Sequence, residues 1–219
     1  MQEIKFWGWE KKRRTLFKYI KPGDIFCFKL NEELYGFGRI ISEASIGHFV
    51  EIFAYVSENP VIEIENINNS CRLMQVVEIS TYMLFDCKDE GDWRIIGHQE
   101  HFVPKGVDGV YFTYGVGSGC KKVDVFGNEW LIKEEEKANY LELWPRHDHD
   151  IKKMVFACLG LKYDDVPVEI SKGTQGDTKG NGINKNDYVT FFKDDERVEI
   201  CIDVENEKVM EAGEKIFAV

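Results

Sequence analysis

No run of about 18 uncharged apolar residues occurs in the chain, so no transmembrane helix is expected. The first residues, MQEIKFWGWEKKRR, have neither an apolar core segment nor a cleavage site, so no signal peptide is expected there. No C-x-x-C pair occurs among the six cysteines, Cys27, Cys71, Cys87, Cys120, Cys158 and Cys201. They stand singly, several within apolar patterns such as Ile25-Phe26-Cys27-Phe28 and Ile200-Cys201-Ile202. That spacing argues against a disulfide framework or a zinc site and for buried, reduced thiols in a cytoplasmic protein. There is no G-x-S-x-G motif, no internal repeat and no low-complexity block.

Positive charge is the minority. The 219 residues hold 28 Lys and Arg against 39 Asp and Glu, a formal charge of −11. Such a field repels nucleic acid and anionic membranes, and neither is an expected partner. It attracts basic proteins and can speed their encounter by about 10–10³-fold at low salt. Solubility alone is the competing explanation. The charge is also unevenly spread. Residues 1–22 hold seven basic residues against Glu3 and Glu10, a net of +5, which leaves −16 on the rest. The run Lys11-Lys12-Arg13-Arg14 could form a nucleic-acid patch. A solvated turn, or an arm lying on the acidic body, is the preferred reading, because the −16 remainder opposes a phosphate backbone.

What the chain does have is core material. Hydrophobic residues make up 43% and aromatics 13%, and a chain of this length can bury roughly 70% of its unfolded surface. Lys21-Pro22-Gly23-Asp24 reads as a turn. Ile25–Leu30 and Tyr35–Ile41 read as a hairpin, with Gly36 and Gly38 marking a bend or a close approach. His48–Val56 reads as a third strand, and a short helix is predicted around Ile64–Asn68. Leu73–Phe85 reads as a long strand turning at Asp89-Glu90-Gly91-Asp92 into Trp93–Gly97. Gly109–Gly115 and Lys121–Phe126 read as a hairpin about Gly117-Ser118-Gly119. The clearest helix covers 148–159, with Ile151, Met154, Val155, Cys158 and Leu159 on one face. Asp148 or Asp150 would cap it and Gly160 would end it. Gly173–Gly182 reads as a flexible loop. Strands are predicted at Tyr188–Phe192, Arg197–Val204 and near Lys215–Val219. Together these give a β-rich α+β fold, a twisted antiparallel sheet or small barrel-like sheet with one main helix.

Two constellations could carry chemistry. Gly115–Lys121 faintly resembles a phosphate loop, but Cys120 stands where the second glycine belongs and a strand pattern follows instead of a helix. His147-Asp148-His149-Asp150 offers imidazole and carboxylate ligands. Neighbours two apart at a helix start point away from each other, however, no second cluster has metal spacing, and capping with surface histidine is the preferred reading. His98 and His101 lie three apart beside a strand end.

Residues from about 12 to 100 resemble the bacterial immunity protein 26 family, found beside polymorphic and contact-dependent toxins. The segments that carry the resemblance are Lys21-Pro22-Gly23-Asp24-Ile25-Phe26, Tyr35-Gly36-Phe37-Gly38-Arg39-Ile40 and Trp93-Arg94-Ile95-Ile96-Gly97. The resemblance implies a non-enzymatic antitoxin that binds the C-terminal domain of its cognate toxin, with no cofactor and no metal. Residues beyond about 100 depart from that family's compact pattern; the domain expected from the whole chain is an immunity-like α+β domain over 1–165, with 166–219 as a C-terminal β extension packed on it. A basic nuclease toxin would match the acidic body. The expected contact residues are acidic turns beside aromatics: Asp89, Glu90 and Asp92 near Trp93, and Glu134, Glu135 and Glu136 near Trp130. A solvated turn is the competing reading for each cluster. The alternative function is a metal-dependent hydrolase using His147, Asp148 and His149.

Overall fold

The structure is a computed structural model that describes residues 3–69 and 72–159, together with the backbone of four strands between 188 and 216. The chain divides into two compact units, residues 1–70 with 76–149 and residues 71–75 with 150–219.

The first unit holds a six-stranded antiparallel sheet. Its strands are β1 (Ile4–Phe6), β2 (Asp24–Lys29), β3 (Tyr35–Glu43), β4 (His48–Ser57), β5 (Val77–Ile79) and β6 (Trp93–Gln99), in the order β1-β6-β2-β3-β4-β5. The sheet is open, with β1 and β5 at its edges, so the barrel-like alternative gives way to an open sheet. Register shifts at Ile25/Phe26, between Gly36 and Gly38, and between Ile40 and Ser42 interrupt the ladders. Such bulges bend a strand and increase its twist.

The predicted hairpin is present: β2 and β3 pair with Phe28 opposite Gly36 and Phe26 opposite Gly38. The five residues Asp24–Phe28 are all buried, because both faces of the sheet are covered. On one face Ile25, Cys27, Phe37, Phe53 and Ile96 pack with Trp9 and with Ile62 and Ile67, the latter on α1 (Ile64–Asn69). On the other face Phe26, Phe28, Phe85 and Trp93 form an aromatic cluster, and the Phe28 and Trp93 rings stack at 4.2 Å.

A second sheet contains β7 (Tyr111–Tyr114), β8 (Lys121–Asp124), β9 (Glu129–Leu131) and β10 (Leu141–Glu142), ordered β10-β7-β8-β9. β7 and β8 form the predicted hairpin, with one 3-10 turn at Gly117–Gly119. The phosphate-loop resemblance therefore ends in a strand-to-strand turn. The inner side of this sheet meets the large one through Ile41, Phe49, Val76, Phe112, Val123 and Val125. Phe49 stacks on Phe112 at 4.8 Å.

The segment 73–87 differs from the expected long strand. Only Val77–Ile79 is strand, and Tyr82–Cys87 is a π-helix closed by Lys88, which adopts φ 62°. Leu84 and Phe85 point into the core from this helix. Trp93–Gln99 consequently pairs with β1 and β2, not with the segment before it.

The arm lies on the body over its described residues, 3–22. β1 pairs with β6, the Trp7 indole donates to Ile95 O at 2.7 Å, and Arg14 donates to Asp86 at 2.6 Å. Asp86 also accepts the Phe17 N–H at 2.9 Å.

The helix predicted at 148–159 is present as α2 (Asp148–Cys158), with Ile151, Val155 and Phe156 buried. Met154 and Cys158 on the predicted face are half-buried. In the second unit, β11 (Tyr188–Lys193), β12 (Glu196–Asp203), β13 (Lys208–Glu211) and β14 (Lys215–Ile216) form an antiparallel meander. β13 was not anticipated. Gly160 and the Gly173–Gly182 loop lie outside the described residues, as do Cys71 and the side chain of Cys201. Among the described cysteines, Cys27 and Cys120 are buried free thiols, and Cys87 and Cys158 are half-buried free thiols.

Candidate functional site

The motifs at 21–40 and 93–97 build the sheet. Gly23 adopts φ 88°, donates to Ile40 O and accepts from Gln99 N, both at 2.9 Å, so it ties β3 to β6. A β-carbon there would lie 2.5 Å from Gln99 O. Asp24 accepts the Lys21 N–H at 3.0 Å and pairs with His98 Nδ1 at 2.9 Å. Burial raises the Asp24 carboxyl above its ordinary range, and the Lys21 N–H and His98 oppose that shift. Arg39 bonds Glu51 and Gln99, and its guanidinium lies over the Phe102 ring at 4.1 Å. These side chains are held inside the sheet and its rim.

The first acidic cluster is mostly occupied internally. Asp92 accepts from Lys88 at 2.9 Å and from Arg94 at 2.7 Å. Its carboxyl sits below the usual range because these two cations outweigh its burial. Glu90 accepts from the His147 ring at 2.9 Å and from Asp148 N at 3.3 Å. Asp89 is exposed. Trp93 is 0% exposed, and its indole donates to Asp148 Oδ1 at 2.7 Å. The expectation that Trp93 contacts a partner is corrected by this burial: it is a core residue that carries the turn. The cluster is thus a brace between the 89–92 turn and the start of α2.

The second cluster has the opposite character. β9 is an edge strand with all three residues exposed. Trp130 is 43% exposed and Leu131 is 71% exposed. Glu134, Glu135 and Glu136 form the first turn of the 3-10 helix Glu134–Asn139. Glu136 accepts the Lys133 N–H at 3.0 Å, a local cap, while Glu134 and Glu135 are exposed. Trp130 packs edge-on against Tyr111, which also meets Tyr140. The Lys122 ammonium sits 4.5 Å from the Tyr111 ring, 5.7 Å from Trp130 and 5.4 Å from Tyr140. Each cation–ring contact favours a fixed ring position. The three aromatics therefore form a preorganised platform beside exposed carboxylates. Lys122, Tyr111 and Tyr140 were not anticipated. The register sets Lys122 opposite Trp130 on β9 and near Tyr111 on β7, and Tyr140 joins them from the end of the 3-10 helix.

The histidine run does not converge. His147 turns to Glu90, and Asp148 holds the Trp93 indole. Among the described residues no group of three or more His, Cys, Asp or Glu side chains is placed to hold a metal ion.

Residues 21–124 match the family model of immunity protein 26. This part of the chain is similar to immunity protein 26. The match begins at the Lys21-Pro22-Gly23-Asp24 turn and ends with β8, so it covers β2 to β8 and leaves β1, β9 and everything after β9 outside. No curated protein and no solved structure matches the chain. The matched region thus supplies five of the six strands of the large sheet and the β7–β8 hairpin, while the exposed Trp130 edge lies beyond the match.

Proposed function

We propose that this chain neutralises a cognate toxin by binding its C-terminal domain in the cytoplasm of the producing cell, within a polymorphic or contact-dependent inhibition system. The match of residues 21–124 to immunity protein 26 carries the reading. The mechanism is occupation of a surface, not chemistry. A basic toxin domain, such as a nuclease that must hold phosphate, suits a chain of charge −11. Complementary charge raises the association rate and suppresses wrong partners more than it adds affinity.

The contact surface we propose is β9 with the 3-10 helix after it. Trp130 and Leu131 supply apolar area, and Trp is among the residue types that dominate interface energies. Glu134 and Glu135 supply the charge at the rim. Inhibition at a Kd of about 1 nM requires about −12 kcal/mol. An interface of about 1,600 Å² with a few such anchors can supply this.

The test is co-purification with the toxin domain encoded immediately upstream, together with co-expression in a sensitive host. Complex formation at micromolar concentration and protection from killing are expected. Absence of both would overturn the proposal.

A further inference from the structure

The +5 arm and the large sheet enclose a cleft that the toxin-binding reading does not use. It has a volume of about 250 Å³ and is lined by Lys5, Trp7, Lys12, Tyr19, Lys21, Asp24, Ile95, His98 and Glu100. Three lysines facing one cleft is unexpected on a chain whose charge is −11.

The walls are fixed. Lys5, His98 and Asp24 are paired across β1, β6 and β2, so they form one row on one face of the sheet. The Trp7 indole is pinned by its bond to Ile95 O. Lys12 and Tyr19 come from the arm, which is docked by the pairing of β1 and by the bonds of Arg14 and Phe17 to Asp86. The floor is polar and buried: Asp24 is 3% exposed and His98 is 9% exposed, and the two are bonded to each other.

The charge balance favours an anion. Two carboxylates oppose the three ammonium groups. Asp24 is already engaged by the His98 ring and the Lys21 N–H. Glu100 stands at the rim, 57% exposed and 3.7 Å from His98 Nε2. Among the described residues neither Lys5 nor Lys12 is ion-paired. Opposite charges within a few ångströms attract, and low-dielectric walls strengthen that attraction.

We propose that this cleft is a binding site for a small oxyanion, a phosphate or carboxylate group held by Lys5, Lys12 and Lys21 over the His98 ring. The site is independent of the β9 surface, and loss of either one leaves the other intact.

Titration of the ¹⁵N-labelled full chain with sodium phosphate at pH 7, against sodium chloride at matched ionic strength, tests the site. A saturable shift of the Trp7 indole and of the amides around Lys5, Lys21 and His98 is expected. Lys12→Gln and Lys21→Gln should each weaken binding by about fivefold, the size of one solvent-exposed charge contact. Neither side chain is buried, so the melting temperature of each variant should match that of the parent, and toxin neutralisation should be unchanged. A parallel titration with sodium acetate separates the two sources: tighter acetate binding assigns a carboxylate, and tighter phosphate binding assigns a phosphate. Shifts that are linear and reproduced by chloride, or binding unaffected by both substitutions, would overturn the proposal.

Discussion

Phe28 lies over Gly36 across the β2–β3 hairpin, and a β-carbon at residue 36 would come 2.5 Å from its ring. Gly38 stands in the same relation to Phe26, and a β-carbon there would also strike Glu51 O. Neither ring can yield. Both phenylalanines are 0% exposed, and Phe28 is stacked on Trp93. A Gly→Ala change at a permissive strand site gains a few tenths of a kcal/mol or more through the unfolded chain. Overpacking outweighs this, at about 1–3 kcal/mol. Gly36→Ala should therefore destabilise by about 2 kcal/mol and Gly38→Ala by more, read from denaturant midpoints. Gly119→Ala is the control, because nothing lies within 4 Å of a β-carbon there. Equal midpoints for all three variants would refute the close approach.

The two glycines also show what sequence pattern can deliver. Glycines inside a strand pattern signalled a close approach, and the rings of Phe26 and Phe28 supply it. The run 73–85 shows the limit. Val76, Val77, Ile79, Thr81 and Tyr82 favour strands, but β-propensity records fit to a half-buried surface and is not a backbone preference. An apolar run of this kind reads equally as strand or buried helix. The structure resolves the ambiguity through long-range contact: Phe85 packs on Phe26 and Trp93. β1 was hidden for a related reason. Ile4–Phe6 is only three residues within a charged arm, and its partner lies more than ninety residues away.

Glu78 on β5 is 2% exposed and lies on the side of Phe49, toward the apolar core between the sheets. Burial pushes its carboxyl up to about 7, with the Ile46 N–H acting the other way. The unfolded chain ionises this group near 4.5. Between these values the fold keeps a proton that the unfolded chain releases, so Glu78 makes stability fall as pH rises from about 4.5 to about 7. Glu78→Gln removes that slope. The variant should gain on the parent progressively over this range and exceed it at pH 8 by about 2 kcal/mol. His48 acts on the acid side. Burial lowers its ring below the ordinary 6.5, so its contribution is lost as pH falls through 6.5 and below, in parent and variant alike. Urea unfolding at several pH values between 5 and 8 checks the difference; parallel curves would count against the buried carboxyl.

Asp86 holds the arm. It accepts from Arg14 and from the Phe17 N–H, and these bonds keep its carboxyl below the usual range, the Phe17 N–H first and Arg14 second. Asp86→Ala should release residues 14–19 while β1 stays paired. Trypsin should then cut after Arg14 and Lys18 several times faster than in the parent, with the rest of the digest unchanged. An unaltered cleavage rate would show that β1 and the core hold the arm without this contact.

How much of the candidate site could be read in advance depended on distance along the chain. The exposed carboxylates of Glu134 and Glu135 beside Trp130 are local in sequence, and the strand and 3-10 turn that place them are short. The fate of Glu90, Asp92 and Trp93 is set by His147, Asp148, Lys88 and Arg94. Two of these lie more than fifty residues away, so an acidic turn that reads as surface is in fact a brace.

That difference separates the two clusters experimentally. Glu134→Lys and Glu135→Lys change exposed groups away from the core, so the folded chain should keep its melting temperature. The double variant should bind the toxin domain about tenfold more slowly at low salt, with a shallower dependence on ionic strength and a nearly unchanged dissociation rate. Trp130→Ala should act on dissociation instead, because it removes apolar contact and unseats the ring platform over Lys122. Glu90→Lys and Asp92→Lys should mainly lower stability, since each removes the partner of a cation or a histidine inside the fold. Stopped-flow association and surface plasmon resonance on the same variants make the comparison. Slow association caused by Glu90→Lys or Asp92→Lys, with none from Glu134→Lys and Glu135→Lys, would move the interface to the 89–92 turn.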